Sequence, residues 1–594
     1  MADRDNYWLR TAGRMSRRRF VAGSGVAAVG TAALLAGCGD DDDEEGSPTA
    51  AATTAAATGT AAATGTAAAT TAAANAPVKG GTLKLAKPQV DEGLDPGLKV
   101  VNNLEFLPSL YNWTHVYQVS KNEFVLDAAT KMETPDATTI RFTIRQGMKF
   151  HNGDPLTAED VAYSWSRFPD LLKNQGSQVN AANWGFIKSA TAPDATTVVV
   201  TLNAPTASAP VLMSSTAYGI VNKKQVEASD KKNVQNEDAG AGPYKLDKRD
   251  ATGTKVSRFA NYYKREAANA LFSPDSPFID SWETSIIVDA AAAKSAFLAG
   301  NLDIYPQLGV TINDRLEFDS LKGKNGVTAK EVDPIGTGMF VAFDNVRFTD
   351  KRARQAISEA INYDALIATI YAGSAVYDGP VGVALSGFVL DQATLKSYRK
   401  FDPGNAKKLW EAAGKPFQTI RIELNQAPIS TQYADFLKSQ LEPNLGVKVE
   451  LLQHDTTTWV ARAREPQKQW ELFLVPTGFT STVEGGNMNL MAPGAFAGVS
   501  WSFAMDQAGS PQVQEDAKKL QAFVQAQSEE IDPAKRKQKV ADLQKAYLDA
   551  IQPGFVFPAA GKSYLAYNSR LQGVLENDYL KGLGIRNHNL WLKG

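Results

Sequence analysis

The sequence predicts an α/β fold that is divided into at least two domains. The chain has 594 residues, whereas single hydrophobic cores stop growing near about 250 to 300 residues. Patterns typical of strands and of amphipathic helices are interspersed after residue 79, as in α/β proteins. A hydrophobic content of 43% and a charged content of 21% are ordinary for globular proteins. These features argue against an all-β scaffold and against general disorder.

The strand predictions rest on alternation of apolar and polar residues. Residues 80–86 alternate in this way, and so do residues 140–145, which follow a Pro-Asp turn. The sequence Pro-Asp-Ala-Thr-Thr occurs at 135–139 and again at 193–197, where it leads into the apolar run 198–202. We therefore expect two turn-then-strand units in one sheet.

Two helices are predicted from their start signals. Thr157 is followed by Asp160 three residues later, an approximate capping box. Asp532-Pro533 places a proline at the first position of a second helix, which Pro553 ends. The apolar face of this second helix is predicted to contain Val540, Leu543, Tyr547 and Ile551.

The first 37 residues have the pattern of an export signal. Arg17 and Arg18 precede an apolar stretch, residues 21–36, that is too short and too rich in glycine to span a bilayer comfortably. Paired arginines at this place match a twin-arginine signal. Residues 35–38 resemble the lipobox of bacterial lipoproteins, and the only cysteine of the chain, Cys38, ends it. The expectation is a lipid-anchored protein on the outer face of the bacterial cytoplasmic membrane.

Residues 38–78 are predicted to form a linker. An acidic run at 40–45 is followed by a tract to residue 76 built almost entirely of Ala, Thr and Gly, which cannot bury a core. A flexible chain of this length has a root-mean-square span of roughly 30 to 40 Å. We interpret it as a stalk between the membrane and the folded body.

Charge and motif content exclude several function classes. The first 37 residues carry an excess of positive charge and the linker carries an excess of negative charge, so the net charge of the folded body is close to zero. A nucleic-acid partner is therefore not expected. Neither a zinc-protease helix motif nor a nucleophile elbow occurs. We therefore predict no enzyme activity, no cofactor and no metal site. The four histidines are scattered singly: His115, His151, His454 and His588.

One long motif points to a known family. Residues 142–161 read FTIRQGMKFHNGDPLTAEDV and closely resemble the signature of family 5, the peptide/nickel family of extracellular solute-binding proteins of ABC importers. Further matching segments follow in the family's order, at 240–246, 296–304, 350–357 and 401–409. The resemblance extends over essentially all of residues 79–594.

The resemblance implies a two-lobed fold similar to periplasmic binding proteins, the type II venus-flytrap arrangement. Its large first lobe would be discontinuous, with lobe I at 79–335, lobe II at 336–554 and a return to lobe I at 555–594. A small-molecule or oligopeptide ligand would be buried between the lobes. Hinge closure would present a monomer to an ABC permease and ATPase complex, and no covalent chemistry is required.

The family's ligand-binding motif is altered in this sequence. In peptide-binding members a Gly-Trp-x-x-Asp segment of the second lobe contacts the ligand, with the acid pairing the peptide's amino group. The corresponding stretch here begins at residue 478, with Phe479 at the aromatic position and Thr482 at the acidic one. Because an uncompensated buried ammonium costs several kcal/mol, free peptide N-termini are expected to bind weakly unless Glu484 supplies the charge.

Aromatic residues complete the predicted ligand site. Aromatic walls with few polar groups are common in ligand pockets, although core packing explains each of these residues equally well. The predicted wall residues are Tyr111, Trp113, Phe479 and Trp501. The alternatives to an importer receptor are a surface-anchored sensor or adhesion protein with the same fold, or an exported hydrolase. The sequence does not identify the solute.

Overall fold

A computed structural model gives the structure of most of the chain after residue 75. The described residues are 76–91, 93–98, 107–118, 120–175, 185–229, 232–269, 271–308, 315–332, 338–344, 347–382, 387–455, 458–459, 461–462, 470–477, 511–550, 555–556, 559–576 and 587–594. Residues 77–594 form one compact unit.

Strands and helices are interspersed along this unit. The strands are β1 (Thr82–Lys87), β2 (His115–Gln118), β3 (Glu123–Leu126), β4 (Ala129–Asp136), β5 (Thr139–Ile144), β6 (Ile187–Thr191), β7 (Thr197–Leu202), β8 (Tyr244–Asp250), β9 (Gly253–Arg258), β10 (Ser281–Ile286), β11 (Ile304–Tyr305), β12 (Val327–Val332), β13 (Gly338–Phe343), β14 (Ala375–Val376), β15 (Thr419–Asn425), β16 (Lys448–His454), β17 (Leu472–Thr477), β18 (Phe555–Val556), β19 (Ala560–Gly561), β20 (Ser563–Asn568), β21 (Leu571–Gln572) and β22 (Trp591–Leu592). The α-helices are α1 (Leu107–Leu110), α2 (Ala158–Ser166), α3 (Phe168–Gln175), α4 (Ala209–Met213), α5 (Lys223–Ala228), α6 (Ala290–Leu298), α7 (Arg315–Asp319), α8 (Lys351–Glu359), α9 (Tyr363–Tyr371), α10 (Gln392–Ser397), α11 (Pro403–Ala412), α12 (Pro428–Leu445), α13 (Pro511–Ser528) and α14 (Pro533–Ala550).

The sheets divide between the two halves of this unit. The first half contains the four-stranded sheets β1-β10-β9-β8 and β4-β5-β7-β6 and the hairpin β2-β3. The second half is built on a seven-stranded sheet ordered β14-β19-β13-β17-β15-β16, with β18 paired to β13. The predicted α/β class with two lobes is confirmed.

The repeated Pro-Asp turn has one structure at both places. Asp136 accepts hydrogen bonds from the backbone N–H and the hydroxyl of Thr138, each at 2.8 Å. Asp194 accepts the same two bonds from Thr196, also at 2.8 Å. The strands that follow, β5 and β7, pair antiparallel in one sheet, so the predicted unit is confirmed. The buried side of β5 consists of Ile140, Phe142 and Ile144.

Both predicted helices are present at the expected places. The carboxylate of Asp160 accepts from the N–H and the hydroxyl of Thr157, both at 3.0 Å, at the start of α2. The carboxylate of Asp532 accepts from the N–H of Lys535 at 2.9 Å, at the start of α14. The buried face of α14 includes three of the four predicted residues, Val540, Leu543 and Tyr547, while Ile551 lies outside the described residues.

The second-lobe sheet is covered on both faces. Apolar side chains of α12 pack on one face, and those of α13 and α14 pack on the other. Fully burying one large aliphatic side chain contributes about 1.5–3 kcal/mol, so these layers stabilise the sheet from both sides. Among the described residues, no helix is both long enough and apolar enough to cross a membrane.

The chain returns to the first lobe through β20. This strand pairs antiparallel with both β11 and β12, whereas the preceding β18 and β19 still pair with β13 of the second lobe. The pairing partner therefore changes between Gly561 and Ser563. The domain boundaries predicted at residues 335 and 554 stay predictions.

Gly240, in one of the family-like motifs, lies against backbone. A Cβ atom on Gly240 would be 1.8 Å from the carbonyl oxygen of Leu110. The N–H of Gly242 donates to that same oxygen at 2.8 Å. No side chain fits between these segments, so this motif is a packing requirement of the first lobe.

We predict that Gly240→Ala lowers the free energy of unfolding by about 1–3 kcal/mol, because overpacking against backbone forces a local shift. Urea unfolding followed by circular dichroism measures this. Gly404→Ala in α11 is the matched control, since its new Cβ would have its nearest neighbour at 3.6 Å. Equal unfolding midpoints for both variants and the wild type would contradict the prediction.

Candidate functional site

The carboxyl ends of three parallel strands form one edge of the second-lobe sheet. β15 pairs parallel with β16 and with β17, so Asn425, His454 and Thr477 mark this edge. Open α/β sheets bind ligands outside the carboxyl ends of their strands. β13 starts at Gly338 directly opposite Thr477. The chain therefore enters the second lobe at the same edge.

The first lobe presents a matching edge. β1 pairs parallel with β10, and the segment after β11 runs beside β1, with the N–H of Leu308 donating to the carbonyl of Ala86 at 2.8 Å. β12 ends at Val332 opposite Ser563. Because β20 is antiparallel to both β11 and β12, the ends of β1 and β12 lie at one edge. In both lobes, the carboxyl ends of the parallel strands therefore lie at the edge where the chain passes from one lobe to the other.

A buried ion pair occupies the first-lobe edge. The ammonium of Lys87, at the end of β1, pairs with Asp91, and their side chains are 3% and 1% exposed. The hydroxyl of Thr254 donates to the second oxygen of Asp91. Since a buried charge needs a partner, this arrangement holds the segment after β1 in place.

Strand β15 carries a charged residue on its second face. Ile420, Ile422 and Leu424 pack toward α12 in the second-lobe core. Glu423 points to the opposite face, is fully buried, and lies beside Phe473 of β17 in the register. An ionised side chain at such a position requires strong partners.

Arg462 and His454 supply those partners. Arg462 donates from Nε and Nη2 to Oε1 of Glu423 at 3.1 and 2.6 Å. Nε2 of His454 lies 2.6 Å from Oε2 of Glu423, and the His454 side chain is 26% exposed. The His454 contact is within ion-pair distance but does not have the geometry of a hydrogen bond.

A short turn after β16 places Arg462. Asp455 accepts the N–H of Thr458 at its carboxylate, at 3.0 Å, and the N–H of Trp459 at its carbonyl, at 2.8 Å. The Trp459 ring lies 5.2 Å from that of Phe473. Residues three apart share a helical face, so Trp459 packs on the sheet while Arg462 reaches Glu423.

A second buried carboxylate lies at the opposite end of the sheet. Glu471 precedes β17, its side chain is 1% exposed, and it pairs with Arg347 at 2.5 Å and Arg421 at 2.8 Å. Its hydrogen bond to Arg421 raises the pKa of that guanidinium. Glu471 therefore supports the framework away from the crossover edge.

A cavity also lies at that opposite end. It has a volume of about 660 Å³ and is lined by residues of α8, α13 and α14, among them Arg354, Asp516 and Phe523. β13 begins at the edge where the chain enters the second lobe and leads from there toward this cavity. Its position separates it from the edge where the two lobes meet.

The two lobes touch through residues that are distant in sequence. The N–H of Ala207 donates to the carbonyl of Ser528 at 2.7 Å. Arg536, at the start of α14, interacts electrostatically with Tyr117 of β2. Burial lowers the pKa of Arg536 to about 10 and raises the pKa of Tyr117 to about 12. A Cβ on Gly387 would lie 2.8 Å from Cγ of Asn122, so backbone of one lobe meets a side chain of the other.

Two predicted ligand residues lie in the first-lobe core. Tyr111 and Trp113 are 1% and 2% exposed and belong to one apolar cluster. The indole N–H of Trp113 donates to the carbonyl of Ser215 at 2.8 Å, and burial raises the pKa of Tyr111 well above its usual value. The structure brings these two residues together, and their contact with ligand stays a prediction.

The other predicted functional residues lie outside the described residues: Arg17, Arg18, Cys38, Phe479, Thr482, Glu484 and Trp501. The segment that begins at residue 478 follows the carboxyl end of β17 directly. Its predicted ligand contacts therefore stay predictions.

Sequence reasoning missed the cluster of Glu423, His454 and Arg462. Residues 420–424 alternate apolar and charged side chains, as in a half-buried strand, so the sequence gives no sign that Glu423 is buried. The convergence of three segments on that acid is visible only in the fold. Within the part of the chain that the structure describes, no group of three or more His, Cys, Asp or Glu side chains could hold a metal ion.

We predict that Gly387→Val disfavours the contact between the lobes by about 1–3 kcal/mol, because the new side chain overlaps Asn122. Small-angle scattering should show a larger radius of gyration at unchanged secondary structure. Gly404→Val is the control, because the new Cβ would make only an ordinary contact, at 3.6 Å from Oδ1 of Asp402. An unchanged scattering curve for Gly387→Val would show that this contact does not set the separation of the lobes.

Comparison with known proteins agrees with this architecture. The chain is 26% identical over 311 residues to a candidate ABC transporter peptide-binding protein of Brucella ovis, covering 50% of this chain and 54% of that protein. It is 26% identical over 346 residues to the dipeptide-binding protein DppE of Bacillus subtilis, covering 53% and 59%. The chain thus spans about half the length of these curated relatives.

A solved structure shows the fold over a longer range. The ABC transporter substrate-binding protein CtaP of Listeria monocytogenes superposes with a TM-score of 0.69 at 19% identity, covering 87% of this chain and 100% of that one. Residues 123–495 match the family described as bacterial extracellular solute-binding proteins, family 5. The chain belongs to this family of extracellular solute-binding proteins.

Proposed function

We propose that the protein is the receptor of an ABC importer, which captures a small solute between its lobes and delivers it to a membrane permease. The observation that carries this proposal concerns the parallel strands of both lobes. Their carboxyl ends lie at the edges where the chain passes from one lobe to the other. Membership of family 5 also supports the proposal.

Hinge closure is the proposed mechanism. A solute that contacts both edges binds the closed arrangement better than the open one, so it shifts the population toward the closed form. The contacts of Ala207 with Ser528 and of Asn122 with Gly387 are available in the closed form. The permease would recognise that form, and the receptor acts as a monomer.

A peptide-like solute is the proposed ligand class. Two curated relatives are described as peptide-binding and dipeptide-binding proteins, which favours this class. Thr482 stands where peptide-binding members carry an acid. The charged N-terminus of a peptide is therefore expected to contribute less here than in those members.

Membrane anchoring is proposed from the N-terminal sequence. Arg17 and Arg18 would direct export through the twin-arginine pathway, and Cys38 would carry the lipid. A linker with a span of roughly 30 to 40 Å would then keep the receptor near its permease.

The decisive experiment identifies the solute and tests closure. Native mass spectrometry of protein purified from its own host should reveal a bound small molecule. Returning that molecule to the stripped protein should reduce the radius of gyration and raise the melting temperature, since a ligand at 100 times its Kd stabilises by about 2.7 kcal/mol. A tightly bound solute that leaves an open stripped protein open would contradict hinge closure.

Thr482→Asp should raise the affinity for trialanine with a free amino group by about tenfold or more. A charge-assisted hydrogen bond contributes about 1.5–3 kcal/mol, and the new acid restores such a partner. Isothermal titration calorimetry measures the change, with N-acetyl-trialanine as the control ligand.

A different result would identify Glu484 as the acid. In that case the wild type binds trialanine at micromolar Kd or better, and Glu484→Gln abolishes this binding. The expected weak capture of free N-termini would then be wrong.

Cys38→Ala should release the protein from the membrane fraction, because the thiol that would receive the lipid is removed. Detergent partitioning and incorporation of labelled fatty acid measure the effect. Arg17→Lys together with Arg18→Lys should block export altogether. Unchanged partitioning of Cys38→Ala, or normal surface levels of the double variant, would require another anchor or another export route.

A further inference from the structure

The dipeptide Asn-Gly occurs twice in the chain, at residues 152–153 and at residues 325–326. In such a pair the backbone nitrogen of the glycine can attack Cγ of the asparagine, and glycine hinders this attack least because it has no Cβ. Both pairs are exposed, and a Cβ on either glycine would meet nothing within 4 Å. Sequence and exposure therefore do not distinguish the two sites.

Hydrogen bonds occupy both reacting groups of the first pair. The N–H of Gly153 donates to the carbonyl of Phe150 at 2.9 Å. Oδ1 of Asn152 accepts the N–H of Asp154 at 3.0 Å, and Nδ2 of Asn152 donates to Oδ2 of Asp154 at 2.9 Å. The same carboxylate oxygen accepts from Asn222 at 3.1 Å, which holds this loop against the start of α5. The attack at this pair requires that these contacts break first.

The second pair has neither restraint. The N–H of Val327 donates to the carbonyl of Lys324 at 3.2 Å. This bond closes a turn that has Asn325 and Gly326 at its two central positions. The φ angle of Gly326 is 72°, as at the third position of a type II turn. Among the described residues, none makes a hydrogen bond to the N–H of Gly326 or to the side chain of Asn325.

We propose that Asn325 is a site of spontaneous deamidation and that the structure protects Asn152 from the same reaction. The backbone nitrogen of Gly326 forms a bond to Cγ of Asn325. Its proton passes through water to the side-chain nitrogen, which leaves as ammonia. Water then opens the resulting succinimide at either carbonyl and gives aspartate or isoaspartate. Water is the only co-reactant, and the proposal does not depend on the receptor function.

The reactive turn lies at the start of β12, the strand that precedes the second lobe. Val327 pairs in the register with Asn568 of β20, and the carbonyl of Gly326 accepts the N–H of Ser569 at 2.8 Å. Isoaspartate inserts one additional carbon into the backbone before Gly326, so this carbonyl is displaced from its partner. We therefore expect deamidation to lower the melting temperature by roughly 1–4 °C, the effect of losing about one hydrogen bond.

Peptide mapping of the aged full chain tests the proposal. The protein is incubated at neutral and at mildly alkaline pH and is digested with trypsin in heavy-oxygen water, which marks any deamidation that occurs during digestion. Mass spectrometry then quantifies the tryptic peptides 150–167 and 325–330. Asn325 should react about tenfold faster than Asn152 or more, because three hydrogen bonds must break at the protected pair. Both rates should rise with pH, since the attacking nitrogen must lose its proton.

The same chain in urea is the matched control. Unfolding removes the hydrogen bonds around both pairs, so Asn152 and Asn325 should react at similar rates there. The ratio of the two rates in the folded chain, divided by their ratio in urea, measures what the structure contributes apart from the neighbouring sequence.

Two variants test the two halves of the proposal. Asp154→Ala removes the acceptor of the Asn152 amide and should raise deamidation of Asn152 about two- to tenfold, with the rate at Asn325 unchanged. Asn325→Ser has no side-chain amide and cannot form the succinimide. Its melting temperature should therefore stay constant during ageing, whereas that of the wild type falls.

Three outcomes would overturn the inference. They are equal rates at the two asparagines in the folded chain, an intact Asn325 after ageing that deamidates this residue in urea, or the same ratio of rates in the folded chain and in urea. If Asp154→Ala folds poorly, the comparison of folded and urea-unfolded wild type still decides. An aged wild type that is deamidated at Asn325 yet melts at its original temperature would contradict the effect on β12.

Discussion

Asp303 connects three segments on which the two-lobed arrangement depends. Its carboxylate is fully buried and accepts the N–H of Lys84 at 2.8 Å and two N–H groups of Arg570 at 2.8 and 3.0 Å. Its backbone carbonyl accepts the N–H of Asn568 at 2.8 Å. Lys84 belongs to β1, while Asn568 and Arg570 lie at the end of β20. The returning chain is thereby held beside the first strand.

This connection has a functional consequence. With β20 held between β11 and β12, the second lobe is joined to the first by two crossings at one edge of each sheet. The proposed closure would then be a rotation about those crossings while both sheets stay intact. The carboxyl ends of the parallel strands lie at the same edge of each sheet.

Buried carboxylates lie at both ends of the second-lobe sheet. Glu423 faces the guanidinium of Arg462, and Glu471 faces those of Arg347 and Arg421, because burial of an unpaired charge is costly. Glu471 uses its partners to hold the far end of the sheet. Glu423 instead has Arg462 on one oxygen, and Nε2 of His454 lies 2.6 Å from the other.

The sequence by itself determined local structure and family. The Asp turns at 136 and 194, the capping residues Thr157 and Asp532, and the alternation of β5 depend on contacts within a few residues, so their patterns are readable in one dimension. The tertiary structure decided which elements meet: the pairing of β20 with β11 and β12, the contact of Gly387 with Asn122, and the convergence of Arg462 and His454 on Glu423. These contacts join residues up to hundreds of positions apart, and their energy depends on burial and orientation that arise only after the sheets have packed.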